Sequence, residues 1–291
     1  MTNPVLKRRP LIFRRLTDYL MRAVSLAALA LSLAGMLWIV ETTIVRGAPV
    51  LSTAFVTESS KPYGIEPAGI ANALWGTLLI TLCSAAMTLP LGLAAGIWLA
   101  EFGQKSKIGS FIRFAANVMM GIPSILTGLF IYAVWVIPTG HFSGFAGSLA
   151  LGIIMLPVIV RTTEESLLMV SPSLREAALA LGMRRWRATT RIICPSAKSG
   201  LLTGILLSLA RVSGETAPLL FTALYSDSWP IRFFSEPMAN VPVLMTEYAM
   251  NSPFASMQAA GWGAALIIMT LILALNIGVR FFFAKDAHNR S

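Results

Sequence analysis

Charge is what this sequence has least of. Asp, Glu, Lys and Arg make up 12% of its 291 residues, against about 25% in soluble globular proteins. That shortage excludes an ordinary water-bathed domain. Cysteine is scarce as well. Cys83 lies in an apolar run and Cys194 in a basic stretch, so no disulfide framework is expected. The two histidines, His141 and His288, stand far apart without ligand-type neighbours, and no metal site is expected. No G-x-x-x-x-G-K-[ST] phosphate cradle occurs, so the chain is not expected to bind ATP itself. There is no internal repeat and no low-complexity segment. The first apolar run is too long for a cleaved signal peptide and lacks a convincing small-residue cleavage site.

What remains is hydrophobic: 56% of the residues are apolar. Runs of about 20 such residues cross a bilayer. Six are read here, at 23–45, 73–100, 114–137, 145–160, 201–224 and 261–283. The fourth is the shortest and is flanked by glycine. The chain is therefore predicted to be an all-α integral membrane protein with six transmembrane helices.

The net charge of +10 is distributed as membrane orientation requires, not as nucleic-acid binding would. The segments 1–22, 101–113, 161–200 and the tail from Arg280 hold 19 of the 23 Lys and Arg residues. The intervening loops hold Arg46, Lys61 and Arg232 against five acids, Glu58, Glu66, Asp227, Glu236 and Glu247. Basic loops stay in the cytoplasm. Both termini and the 161–200 segment are thus expected inside, in the cytoplasmic membrane.

Within that inner segment, 171–197 is organised as two short helices about a hinge. Ser171 is placed to cap a helix and Pro172 suits its first turn. Leu174, Ala177, Ala178 and Leu181 recur at helical spacing. Gly182 is placed to end the helix in a left-handed turn. Arg184, Arg185, Arg187 and Arg191 follow, and Pro195 should stop the second piece. An apolar face, a hinge and a basic helix suit docking into a groove on another protein.

The spans carry polar detail. In the second, Thr77, Thr81, Ser84, Thr88, Gly92 and Gly96 share one face, with Pro90 inside the run. In the third, Gly121, Ser124 and Gly128 do so beside Pro123. Close helix packing explains most of these residues; a pore-lining role stays open for the threonines. In the fifth, Gly204, Ser208, Arg211, Glu215, Pro218 and Thr222 form one polar seam. A charge at mid-membrane costs about 2.5–3.5 kcal/mol on insertion scales. Arg211 and Glu215, four residues apart, are expected on one helix face, with a kink at Pro218 just beyond. Two readings stay open. The pair fixes helix packing, or Arg211 meets an anionic substrate while Glu215 holds it between turnovers. Arg suits phosphate because its planar fork offers parallel donors.

Two motifs carry a family resemblance. Glu176-Ala177-Ala178, three residues, Gly182, nine residues, Ile192, one residue, Cys194-Pro195 resembles the coupling loop of ABC importer permeases. Cys194 stands where that family usually has Leu. Arg211-x-x-Gly214-Glu215-Thr216-Ala217-Pro218 resembles the signature of the permease subunits of phosphate-specific ABC importers. Gly121-Ile122-Pro123-Ser124-Ile125 with Gly128, and Arg161-Thr162-Thr163-Glu164-Glu165, are more similar to the A-type branch than to the C-type. The likeness covers about 72–280.

The resemblance implies a MetI-like ABC importer permease core at 72–283 containing a cytoplasmic coupling loop at 161–200. Around it lie a basic N-terminus at 1–22, one extra helix at 23–45 and a tail at 284–291. It implies a substrate pathway past Arg211, Glu215, Ser208 and Thr222, and ATPase coupling through Glu176, Ala177, Ala178, Gly182, Ile192 and Pro195. The implied partners are a second, C-type permease, two ATP-binding subunits that use the ATP, and an extracytoplasmic phosphate-binding protein. Phosphate would cross by alternating access as the loop tilts the fourth and fifth spans. No cofactor is expected on this chain and no catalysis by it. Two alternatives stay open: an importer permease for another solute such as molybdate, sulfate or an amino acid, and a secondary transporter or intramembrane enzyme.

Overall fold

The computed structural model describes residues 11–62, 65 and 69–288. Of the charge pattern, Lys7, Arg8, Arg9, Glu66 and Arg290 lie outside the described residues, as do the side chains of Arg14, Arg280 and Lys285. The described chain is helical and without strands. In hydrocarbon every backbone polar group must be paired internally, and helices do this within one segment.

Four described helices are long and apolar enough to span a membrane alone. They are α1 (Leu11–Gly47), α2 (Ala71–Glu101), α5 (Gly144–Leu168) and α11 (Ala255–His288). Two bent pairs bring the number to as many as six. One is α3 (Lys107–Gly121) with α4 (Ser124–Ile131), which continues through a wide turn to Thr139. It bends by 101°. The expected third span is thus no straight rod, because Pro123 has no N–H to extend α3. The other is the helical piece Arg185–Ser196 with α8 (Lys198–Ser213), bent by 71°.

The glycine-flanked fourth run proves to be the hub. α5 is 25 residues long, against 16 expected, and it packs most extensively on α2. The shared seam is the small-residue face of α2. A Cβ on Gly92 would lie 2.7 Å from Ile159 Cγ2, and one on Gly96 would lie 2.5 Å from Thr163 Cβ. Ser148 Oγ donates to the Ile80 carbonyl at 3.1 Å. Thr77 Oγ1 accepts from the backbone N–H of Val241 at 2.8 Å. Packing therefore accounts for most of that face.

α1 contributes almost nothing to this core. Its apolar stretch is wholly exposed, and it meets α11 where Arg46 lies 5.2 Å over the Trp262 ring. The final helix extends the expected 261–283 run at both ends, so the expected 284–291 tail begins in helical backbone.

The two ends of the bundle differ in charge, as the sequence predicts. At one end, 101–113, 161–165 and 175–185 meet. At the other, buried Asn72 joins segments distant in sequence. Its Oδ1 accepts from Ser60 N at 2.9 Å, and its Nδ2 donates to the Asp227 carbonyl at 3.1 Å. There the Tyr225 hydroxyl donates to the Asp227 carboxylate. Burial first, and that carboxylate second, hold the Tyr225 hydroxyl above its ordinary range, so it stays a donor.

If the α2–α5 seam is a packing surface, Gly96→Ala must push Thr163 aside and cost about 1–3 kcal/mol. Gly35→Ala in α1 meets nothing within 4 Å and should be neutral or slightly stabilising. Unfolding in graded denaturing detergent reads both.

Candidate functional site

The expected fifth span, 201–224, does not run as one helix. α8 stops at Ser213, Gly214 caps it, and a short helix α9 (Ala217–Leu220) follows. The break precedes Pro218, which sits in the first turn of α9, where its missing N–H costs nothing. So Glu215 lies in the break rather than one turn along a helix from Arg211.

The consequence is a loose pair. Arg211 Nε is 3.9 Å from Glu215 Oε1, and the two side chains are 50% and 19% exposed. Arg211 is in the last turn of α8, where a cation complements the helix dipole. Thirteen residues past Lys198, it lies roughly 20 Å along the helix. Among the described residues no tighter bond holds this guanidinium.

Its neighbours come from the other motif. Met119, Met120, Ile122, Ser124, Thr127, Ile153 and Ile154 line a recess with Arg211. The α3–α4 bend supplies most of them. A Cβ on Gly128 would lie 2.6 Å from Pro218 Cα, so the bend locks directly onto α9. Two stretches about 90 positions apart in sequence therefore build one place. The recess is about 30 Å³, room for a water but not for an oxyanion. Ser208 and Thr222 do not reach it. Ser208 is 1% exposed and bonds the Ile205 carbonyl, while Thr222 is fully buried and bonds the Pro218 carbonyl.

The second candidate region is the elbow at 171–197. α6 (Pro172–Ala180) begins at Pro172 as expected, but Ser171 offers no capping bond to the backbone. Its hydroxyl pairs with Ser173 instead. Gly182 ends the turn with φ +78° in open space. α7 (Arg185–Ala188) follows and runs through a wide turn to Ser196. The helical piece ends one residue past Pro195, at the 71° bend. Leu174, Glu176, Ala177, Leu181, Gly182 and Pro195 are exposed, whereas Ile192 is half-buried. Ala178 departs from the expected docking face. It is 2% exposed and turned inward, towards the rest of the chain.

Sequence reasoning missed the ionic joint beneath the elbow. Glu164 is 2% exposed and accepts from Arg113 Nε at 2.6 Å and Arg161 Nη1 at 2.9 Å. Glu101 is 4% exposed and accepts from Arg175 Nε at 3.0 Å. The same arginines close helix ends. Arg113 donates to the carbonyls of Leu99 and Gly103, Arg175 to those of Leu167 and Val170, and Arg185 to that of Glu101. Unpaired C-terminal carbonyls are a standing cost, and guanidinium groups satisfy them here. The available signal was two acids, each at the end of an apolar run, amid basic residues.

Residues 92–285 match the family described as binding-protein-dependent transport system inner membrane component. The phosphate transport system permease protein PstA of Yersinia pestis is 41% identical over 282 residues, covering 97% of this chain and 95% of that one. The protein of the same name from Pasteurella multocida is 43% identical over 274 residues, covering 94% and 97%. That from Mycobacterium leprae is 36% identical, covering 94% and 92%. Among solved structures, the inward-facing MetNI methionine ABC transporter aligns with TM-score 0.60 at 18% identity, covering 76% of this chain and 95% of that one. An amino acid ABC transporter with histidines aligns at 0.53, with 17% identity, covering 74% and 92%. These two show the fold.

The joint gives a contrast to measure. Glu164→Gln leaves two arginines sharing a neutral buried partner and should cost about 3 kcal/mol. Glu165→Gln removes a carboxylate that is 60% exposed and should cost less than about 1 kcal/mol. Thermal midpoints in detergent would separate them.

Proposed function

The chain belongs to the binding-protein-dependent transport system inner membrane component family, and from that premise we propose that it is the A-type permease subunit of an ATP-driven phosphate importer. A chain of this family is a multi-pass inner-membrane component that works with partner ATPase and permease subunits. The further assignments are a C-type permease beside it, two ATPases against the elbow, and an extracytoplasmic phosphate-binding protein at the opposite end. Both termini would then be cytoplasmic, in line with the basic segments gathered at the elbow end. The chain itself transports rather than catalyses, and ATP is used by the partners.

The observation that carries the substrate assignment is Arg211. It is a half-exposed cation in the last turn of α8, with a single long ion pair among the described residues. Anionic phosphate is the ligand chemistry that a planar guanidinium fork fits. Ser124, a residue with a hydroxyl donor, lines the same recess. The recess is too small to close around phosphate alone, so the partner permease would supply the other wall. Glu215 neutralises Arg211 between turnovers and lets substrate leave, since tight capture would stall transport. At the elbow, exposed Leu174, Ala177 and Leu181 offer the docking face, and Gly182 is its hinge.

In proteoliposomes holding the whole complex, Arg211→Ala should lower ATP-dependent phosphate uptake on the order of 100-fold with assembly intact. Dissociation of the variant complex would instead make the pair structural. Uptake competed equally by molybdate or sulfate would overturn the substrate. Gly182→Val forces a β-branched residue into a left-handed turn at roughly 1–2 kcal/mol. It should lower phosphate moved per ATP hydrolysed, and an unchanged ratio would remove the hinge role.

A further inference from the structure

The elbow's two arms end on one residue. Before the Gly182 hinge, Arg175 of α6 bonds the Glu101 carboxylate through Nε at 3.0 Å. After the hinge, Arg185 of α7 donates to the Glu101 carbonyl, with its guanidinium 4.9 Å over the Phe102 ring. Glu101 is the last residue of α2 and is 4% exposed. Ile193 and Ala197 of the elbow share an apolar cluster with Ala100 of α2 and with Leu167 and Val170 at the end of α5. So both arms are keyed to the α2 terminus, by charge and by packing.

The covalent route is softer. From the elbow to α8 the chain passes a wide turn at Thr189–Ile193, then Pro195, then a 71° bend. A displacement of the elbow therefore reaches the α2–α5 body through the buried ion pair and the short 169–171 link to α5, before it reaches α8. Since α2 and α5 interlock at Gly92 and Gly96, they follow as one body, and Ile153 and Ile154 of α5 form one wall of the Arg211 recess.

We propose that Glu101 is the positioning residue that couples the elbow to the α2–α5 body, so that force enters through α2 rather than along α8. This rests on the importer reading above. It adds α2 to the expectation that the loop tilts the fourth and fifth spans. The carboxylate touches neither ATP nor phosphate; it fixes where Arg175 and Arg185 pull.

The test uses the complete complex in proteoliposomes, with spin labels at Leu82→Cys on α2 and Leu207→Cys on α8. Both are exposed positions, and Cys83→Ala and Cys194→Ala form the background. ATP should change the label separation in the otherwise unsubstituted complex. In Glu101→Gln, ATP hydrolysis and assembly should persist, while the separation change shrinks and phosphate moved per ATP falls about tenfold. Glu101→Asp should fall between. Full label movement in an assembled Glu101→Gln or Glu101→Asp complex would overturn the proposal. So would Glu101→Gln losing assembly while assembled Glu101→Asp behaves normally, and so would absence of any ATP-driven movement before substitution. Movement without phosphate uptake in the unsubstituted complex would sink the substrate reading alone and leave the joint standing.

Discussion

The constraint on which most of this structure depends is that a helix ending near hydrocarbon cannot leave its last carbonyls to water. α2 and α5 both end at the elbow side, and arginines from other segments satisfy their final carbonyls. Arg113 and Arg175 among them are charged and partly buried, so each needs an anion within reach. Glu101 and Glu164 provide it. A requirement of backbone hydrogen bonding thus becomes a requirement for buried ion pairs. The ion pairs in turn fix where the elbow sits.

Breaks in the helices obey the same constraint with a different outcome. Irregular backbone within a membrane persists where protein buries it or where it lines a cavity. The bend at Ile122–Pro123 lines the recess beside Arg211. The segments that follow the bend and the break at Gly214–Thr216 press against one another through Gly128 and Pro218. Had 201–224 been one rod, Glu215 would stand a full turn from Arg211 on the same face and pair closely with it. With the break, the pair stands at 3.9 Å, the slack on which the proposed substrate contact relies.

The sequence declared the fold class and the segregation of charge because both are long-range sums. Twenty apolar residues outweigh any local exception, and basic residues cluster at one end whatever the helices do between. It also declared the Gly182 turn, since a left-handed backbone favours one residue type. What it hid was pairwise. Arg175 gives no sign, from its neighbours, that its partner is Glu101, 74 positions away. Ala178 reads as part of an apolar stripe with Leu174 and Leu181, yet one helical face can serve two neighbours, and Ala178 turned inward. Thr222 shares the period of Arg211 only on a continuous helix, and Gly214 interrupts that helix. Ser208 keeps the period on α8, but it is buried and its hydroxyl is spent on the Ile205 carbonyl. α5 was underestimated for a related reason: Arg161, Glu164 and Glu165 ended the apolar run, but their mutual pairing let the helix continue through them.

On the proposed reading, Arg211 also gives a second permease its role. A half-exposed guanidinium beside a 30 Å³ recess is stable neither against lipid nor as a finished binding site. Facing hydrocarbon, it would carry a charge penalty with only a long ion pair to offset it. Facing a partner subunit across a hydrated gap, it loses that penalty and gains the missing wall of a site large enough for an oxyanion. In the coupling proposed above, the ion-paired elbow acts on α2 and α5, and α5 supplies Ile153 and Ile154 to one wall of the recess. On that proposal the cation stands at the boundary between the part that moves and the part that stays. At that boundary a transient contact with phosphate can be made on one side of the cycle and broken on the other.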